Sequence, residues 1–356
     1  MIWRAIACVV TVFTLAGGTL SLPCPSATPH FDICLPGDDT MLDRPGTPLR
    51  GVPSLIFATY VDDATDLHWA LVLAESIRQF AGAYREAPVW ICLRADDSQL
   101  RELAVGRTEE LGLTIFSGDT PSEARRFPYS GKVYAAARAE SRADGKADIL
   151  AWIDPDAVVT TEPRAFALPK GIALGYRPVM HKLIGSSYDR PLDDFWSRVY
   201  ELLHVSDSLV YPLTTPVGRE TIRAYFNAGL LIVRPGRGLL RQWPENFRIL
   251  YEDSVCLAMC TRDHLKNVFL HQAALAGTVL TALRESETEE LPPYYNYPLN
   301  LDLEYPVDDR PESLDEVVLL RHDLFWRDPD YRGLLRDNSR ILKWLAVRKP
   351  ELPAMQ

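Results

Sequence analysis

The stretch Ile149-Leu150-Ala151-Trp152-Ile153-Asp154-Pro155-Asp156-Ala157-Val158-Val159 decides how the rest of the chain is read. Five apolar residues run into two carboxylates, and three more apolar residues follow. A short uninterrupted apolar run is the pattern of a strand covered on both faces. Its polar end then lies at the carboxyl edge, where open α/β sheets collect ligands. Side chains two apart on an extended backbone share a face, and Pro155 holds its predecessor extended. Asp154 and Asp156 are therefore expected to be presented together. Two such anions repel unless something positive stands between them, and a hard divalent cation, which prefers oxygen ligands, is the simplest candidate. Asp-x-Asp also occurs in solvated turns and helix caps; the buried strand before it sets this copy apart.

Upstream, the pattern alternates. Residues 54–60 read as a strand, and 66–80 as a helix with Leu67, Ala70, Leu71, Ala74 and Ile77 on one face. Strands over 88–93 and 113–116 enclose a charged helix over 98–111, and a helix over 132–143 precedes the acidic strand. Such alternation predicts a mostly parallel sheet with helices on both faces. Right-handed crossovers then bring the strand ends to one edge. The second half is less regular. Helices are expected over 191–205, 238–251 and 271–283, the last placing His271 at a helix start. A strand over 223–233 is interrupted by a small Asn227-Ala228-Gly229 step. Residues 291–306 form a Pro/Tyr/Asn-rich loop in which Tyr294, Tyr295, Asn296 and Tyr297 could stack sugars or simply make a rigid turn. A strand over 316–320 ends at Arg321-His322-Asp323, and a helix over 338–347 closes the chain.

The chain has 356 residues, 47% of them hydrophobic, enough for a full core in one large domain. A formal charge of −10, with no dense basic cluster, argues against nucleic-acid partners. At the amino terminus Arg4 precedes an uncharged apolar run that continues to Leu22. That is the pattern of a signal peptide or short membrane anchor, over residues 1–27. Residues 28–51 read as a Pro- and Gly-rich linker, and 52–348 as the folded domain. The domain would be exported or anchored on the non-cytoplasmic side, meeting the membrane only through its first segment. Cys24 and Cys34 could pair in such a compartment. Cys92, Cys256 and Cys260 read as packing residues.

On these residues the chain resembles nucleotide-sugar glycosyltransferases of the single-domain, Rossmann-like GT-A fold. It is most similar to glycosyltransferase family 8, the group of glycogenin and lipopolysaccharide galactosyl- and glucosyltransferases. The motifs fall in the family's order: Ala58-Thr59-Tyr60, Lys132, Trp152-Ile153-Asp154-Pro155-Asp156, Phe226-Asn227-Ala228-Gly229-Leu230-Leu231-Ile232, and His322 before Phe325 and Trp326. The resemblance implies a glycosyltransferase, retaining in its stereochemistry. It would move a hexose from a nucleotide-sugar, uridine diphosphate foremost, to a hydroxyl on a glycan, protein or lipid. It also implies Mn2+ (or Mg2+) held by Asp154, Asp156 and His322 on the donor diphosphate, where a cation neutralises the departing charge. Imidazole beside two carboxylates suits manganese better than calcium. Lys132 would add a fixed positive charge. Thr59 and Tyr60 would hold base and ribose, while Asn227, Ala228 and Gly229 line the sugar side.

Two departures stand out. The family's Asp-Gln-Asp reads Leu270-His271-Gln272-Ala273 here, keeping Gln272 and losing both carboxylates, and the carboxy-terminal His-x-Gly-x-x-Lys-Pro pattern is absent beyond His322. A non-catalytic protein that retains the sugar-nucleotide cleft is the alternative these losses suggest. A haloacid-dehalogenase-like phosphatase also fits the acidic strand, but it would carry that motif on its first strand, whereas three strands come before it here.

Overall fold

Strand β1 (Leu55–Val61) is buried almost throughout because parallel neighbours flank it, β2 (Val89–Arg94) on one side and β4 (Ile149–Ile153) on the other. β3 (Leu113–Gly118) extends the sheet beyond β2. The crossovers are helices α1 (Ala64–Phe80), α2 (Ser98–Val105), α3 (Thr108–Leu111) and α4 (Ser130–Ala143). The single helix expected over 98–111 is thus two, because α2 stops at Gly106 and Arg107 starts afresh. This computed structural model describes residues 52–94, 97–322, 325–326 and 339–348. The amino-terminal segment, the linker, Cys24, Cys34 and Asp323 lie outside them. Among the described residues no helix is long and apolar enough to cross a membrane.

The second half runs β5 (Ala157–Val159), β6 (Leu174–Pro178), α5 (Asp194–Leu202), β7 (Pro212–Thr214), β8 (Thr221–Arg223) and β9 (Phe226–Val233). There follow α6 (Leu239–Glu252), α7 (Ser254–Arg262), α8 (His264–Ala282), β10 (Thr288–Glu290), β11 (Tyr297–Pro298), β12 (Leu319–Arg321) and α9 (Arg340–Ala346). The main sheet is ordered β10-β6-β9-β4-β1-β2-β3, with β9 antiparallel to both neighbours and every other pairing parallel. The expected α/β domain on a mostly parallel mixed sheet is what forms.

Three local readings change. The strand expected over 223–233 begins only at Phe226, as β9, with its Asn227-Ala228-Gly229 step where the register against β6 shifts, while Thr221–Arg223 form β8 in a separate hairpin. Residues 157–159 leave the main sheet and pair, as β5, with β12 in a small second sheet β11-β12-β5. His271 sits in the middle of α8, which starts earlier because Asp263 caps it, accepting from the N–H groups of Leu265 and Lys266. In the 291–306 segment Tyr295 and Tyr297 are buried. Tyr297 stacks on Tyr305 and donates to Asp302 at 2.7 Å, so the rigid turn is the reading the packing favours there. Cys92, Cys256 and Cys260 are buried free thiols, as read.

Candidate active site at the carboxyl edge

Asp154-Pro155-Asp156 does not continue β4 in extended form. It turns the chain into β5, with Ala157 N–H reaching Asp154 O at 3.3 Å, and each carboxylate takes a partner of its own. Asp154 meets Lys132, in the first turn of α4. Nζ donates to Oδ2 at 2.7 Å and lies 2.7 Å from Oδ1 as well. Both side chains are nearly excluded from solvent, 10% and 12% exposed, which strengthens their attraction. The Asp154 N–H donates to Gly229 O at 2.9 Å and ties the turn to β9. A Cβ at position 229 would lie 2.8 Å from Asp154 Oδ2, so only glycine leaves the carboxylate its room.

Asp156 faces β12 instead. Arg321 donates to it from Nη2 at 2.7 Å and from Nε at 3.4 Å, a forked pairing. Burial pushes the Asp156 carboxyl up. The Arg321 guanidinium, with His322 and Lys132 behind it, outweighs that and holds it below the ordinary carboxylate range. Lys132 therefore acts on both aspartates, and the four side chains form one charge cluster. His322 is linked to Asp156 through the backbone, its N–H donating to Asp156 O at 2.9 Å. Its buried ring packs between Trp69 and Trp326, centroids 5.7 and 4.7 Å away. Arg321 holds the Asp156 carboxylate directly, and the His322 ring lies near enough to add its charge there.

Around this cluster, Asp63 caps α1 by accepting from Asp66 N–H at 2.9 Å. Burial, with repulsion from Asp63, Asp62 and Asp156, pushes the Asp66 carboxyl up to about 7. Thr59 is buried inside β1, while half-buried Tyr60 donates from its hydroxyl to Asp62 at 2.9 Å. On the other side Asn227 Oδ1 accepts from Gly229 N–H at 2.8 Å, and Ala228 N–H donates to Gln272 Oε1 at 3.2 Å. Gln272 is thus brought against the Asn-Ala-Gly strand. His271 packs beside Tyr129, ring centroids 5.1 Å apart. Burial and the Lys132 charge hold its pKa down at about 3, leaving a neutral ring.

A divalent ion needs several lone pairs aimed at one point. Among the described residues no group of three or more His, Cys, Asp or Glu side chains is so arranged. The places beside the two aspartates are filled by an ammonium and a guanidinium, which have donors and no lone pair to give. Asp154, Asp156 and His322 as they stand do not fit a metal ion. The sequence reading missed Arg321, although strand alternation and its position directly before His322 were both visible.

A reversed strand thus lies beside an acidic turn at the carboxyl edge of an otherwise parallel sheet. The sequence matches the Rhodobacterales glycosyltransferase domain over residues 58–282, more than half of its length, and the chain belongs to that family. It is a glycosyltransferase. Similar solved structures include unliganded mouse xyloside xylosyltransferase 1, with 13% identity and a TM-score of 0.43 over 75% of this chain and 97% of that one. Galactosyltransferase LgtC with donor and acceptor sugar analogues has 14% identity and a TM-score of 0.43, over 81% of this chain and 99% of that one. The bifunctional glycosyltransferase WbbM without ligand has 11% identity and a TM-score of 0.48, over 85% of this chain and 53% of that one. No curated protein matches the sequence.

Proposed function

We propose that the chain transfers a hexose from a nucleotide-sugar to a hydroxyl of a glycan, protein or lipid, with retention of configuration. The observation that carries this is the convergence of Lys132, Asp154, Gly229 and Gln272 on one sheet edge from four separate elements. Transfer leaves negative charge on the departing diphosphate, and a nearly buried ammonium held in place by Asp154 is a preorganised counter-charge for it. Asn227 and Gln272 supply amides, hydrogen-bonding groups of the kind that orient sugar hydroxyls. Half-buried Tyr60 at the outer end of β1 is the group to receive the base. Export through residues 1–27 as a signal peptide, or anchoring to a membrane through them, with the domain on the non-cytoplasmic side, belongs to the same proposal.

The reading is tested on the full chain by mixing it with uridine, guanosine, cytidine and adenosine diphosphate hexoses and a panel of hydroxyl acceptors. Release of nucleoside diphosphate, with the anomeric configuration of the product read by NMR, is the expected result. Binding of a nucleotide-sugar with no transfer to any acceptor favours the non-catalytic alternative. No binding at all overturns the reading.

A further inference from the structure

The two aspartates lie at the point where a metal ion was expected from the sequence, yet each carboxylate holds a side-chain cation. We propose that Lys132 and Arg321 replace a divalent ion in this chain, so that the donor diphosphate is bound by an ammonium and a guanidinium oriented by Asp154 and Asp156. The inference rests on the nucleotide-sugar reading above and adds Arg321 as a donor-binding residue.

The geometry carries it in three steps. First, Arg321 is placed by register: β12 runs antiparallel to β5, and Arg321 pairs with Ala157, the residue next to Asp156. Its side chain reaches that carboxylate from the adjoining strand without a long excursion. Second, the pairing is forked and largely buried, with side-chain exposures of 23% for Arg321 and 9% for Asp156. A guanidinium fixed in this way has the planar donor geometry that suits phosphate oxygens. Third, a divalent ion brought to Asp154 and Asp156 would have to displace both cations. Each is paired out of solvent, and breaking such a pair leaves an uncompensated buried charge. The cluster of two anions and two cations is electrically balanced without a metal, and the aspartates act as positioning residues for the cations.

The experiment is isothermal titration of uridine, guanosine, cytidine and adenosine diphosphates into the full chain, first in excess EDTA and then in millimolar manganese. The expected result is one preferred diphosphate bound with affinities that agree within about threefold in the two conditions. Manganese titrated alone and followed by electron paramagnetic resonance is expected to find no tight site. Arg321→Lys keeps the charge and loses the fork, and it is expected to weaken binding about tenfold in EDTA and in manganese alike. Circular dichroism of that variant checks that it folds, and the comparison of the two conditions on the unaltered chain needs no variant. Binding that requires manganese, or tightens tenfold or more with it, overturns the inference and leaves the glycosyltransferase reading standing. Unchanged affinity in folded Arg321→Lys removes Arg321 from the site and also overturns it. Absence of diphosphate binding in both conditions overturns the nucleotide-sugar reading, and this inference with it.

Discussion

Gly229 shows how much of the site depends on one missing methyl group. Asp154 occupies space that any side chain at 229 would claim, because a Cβ there would stand 2.8 Å from Oδ2 and 3.0 Å from Asn227 Oδ1. Both neighbours are ends of side chains, so the backbone of β9 need not move. What moves is the carboxylate, and with it the partner that fixes Lys132. Gly229→Ala is therefore expected to cost little stability, about 1 kcal/mol or less, yet to lower glycosyl transfer at least tenfold. Turnover measured beside a thermal melt checks this. A variant with normal turnover would show that the Lys132–Asp154 contact is dispensable.

At the scale of elements, helix ends show the same economy. α6 begins at Gly238, which has no side chain to cap it. The cap comes from α4: Glu140, fully buried, accepts from Arg241 N–H at 2.8 Å, and Arg241 in turn pairs with Asp144 at 2.8 Å. Burial pushes the Glu140 carboxyl up to about 7, although the first N–H groups of α6 and the Arg241 charge pull the other way. The sign follows from linkage. Between its ordinary carboxylate range and about pH 7 the folded chain keeps a proton that the unfolded chain has released, so this group's contribution to stability falls as pH rises through that window. The total is at most about 3 kcal/mol. Glu140→Gln removes the titration and keeps an acceptor for Arg241. The difference in Tm between the native chain and this variant is expected to favour the native chain near pH 5 and to shift toward the variant by about pH 8. Parallel melting curves across that range would assign Glu140 no such role. None of this was legible beforehand, since Glu140 in sequence is one more charged residue on an amphipathic helix. The strands of the first half, the Phe226–Val233 strand and β12 were legible, because apolar periodicity and short motifs are local; the reversal of β9 and the short strands β6, β7, β8, β10 and β11 were not. The partner of Asp156 was not. It depends on which way two adjacent residues of a distant strand face, and the departure of β5 into a second sheet sets that.

For the whole molecule, the consequence of that second sheet is that β12 and α9 return to α1, the first helix among the described residues. β12 and α9 share an apolar cluster with Trp69 and Val72 of α1, and the same cluster holds Trp326 against the His322 ring. Trp344 of α9 makes contacts with α1. Its Nε1 donates to Gln79 at 2.6 Å, and its ring meets Phe80 edge-on at 5.5 Å. On the other side Arg348 lies over the ring at 3.6 Å and is itself held by Glu75 at 2.8 Å. Ile341, Leu342 and Leu345 are buried in the same cluster, and His68 Nε2 meets Arg348 O at 2.9 Å, so the indole is one part of a wider contact. Removing the indole opens a cavity and unpairs Gln79 at once, a loss of roughly 3–5 kcal/mol for an aromatic side chain in such a place. For a domain of this size that corresponds to a fall in Tm of roughly 5–8 °C. Trp344→Ala is expected to show that fall while binding a nucleoside diphosphate, well below its melting point, within about threefold of the native affinity. A Tm lowered by less than about 2 °C would mean that α9 rests on the domain without stabilising it. A large loss of diphosphate binding in the folded variant would mean instead that the terminal helix sets the position of β12, and through it Arg321.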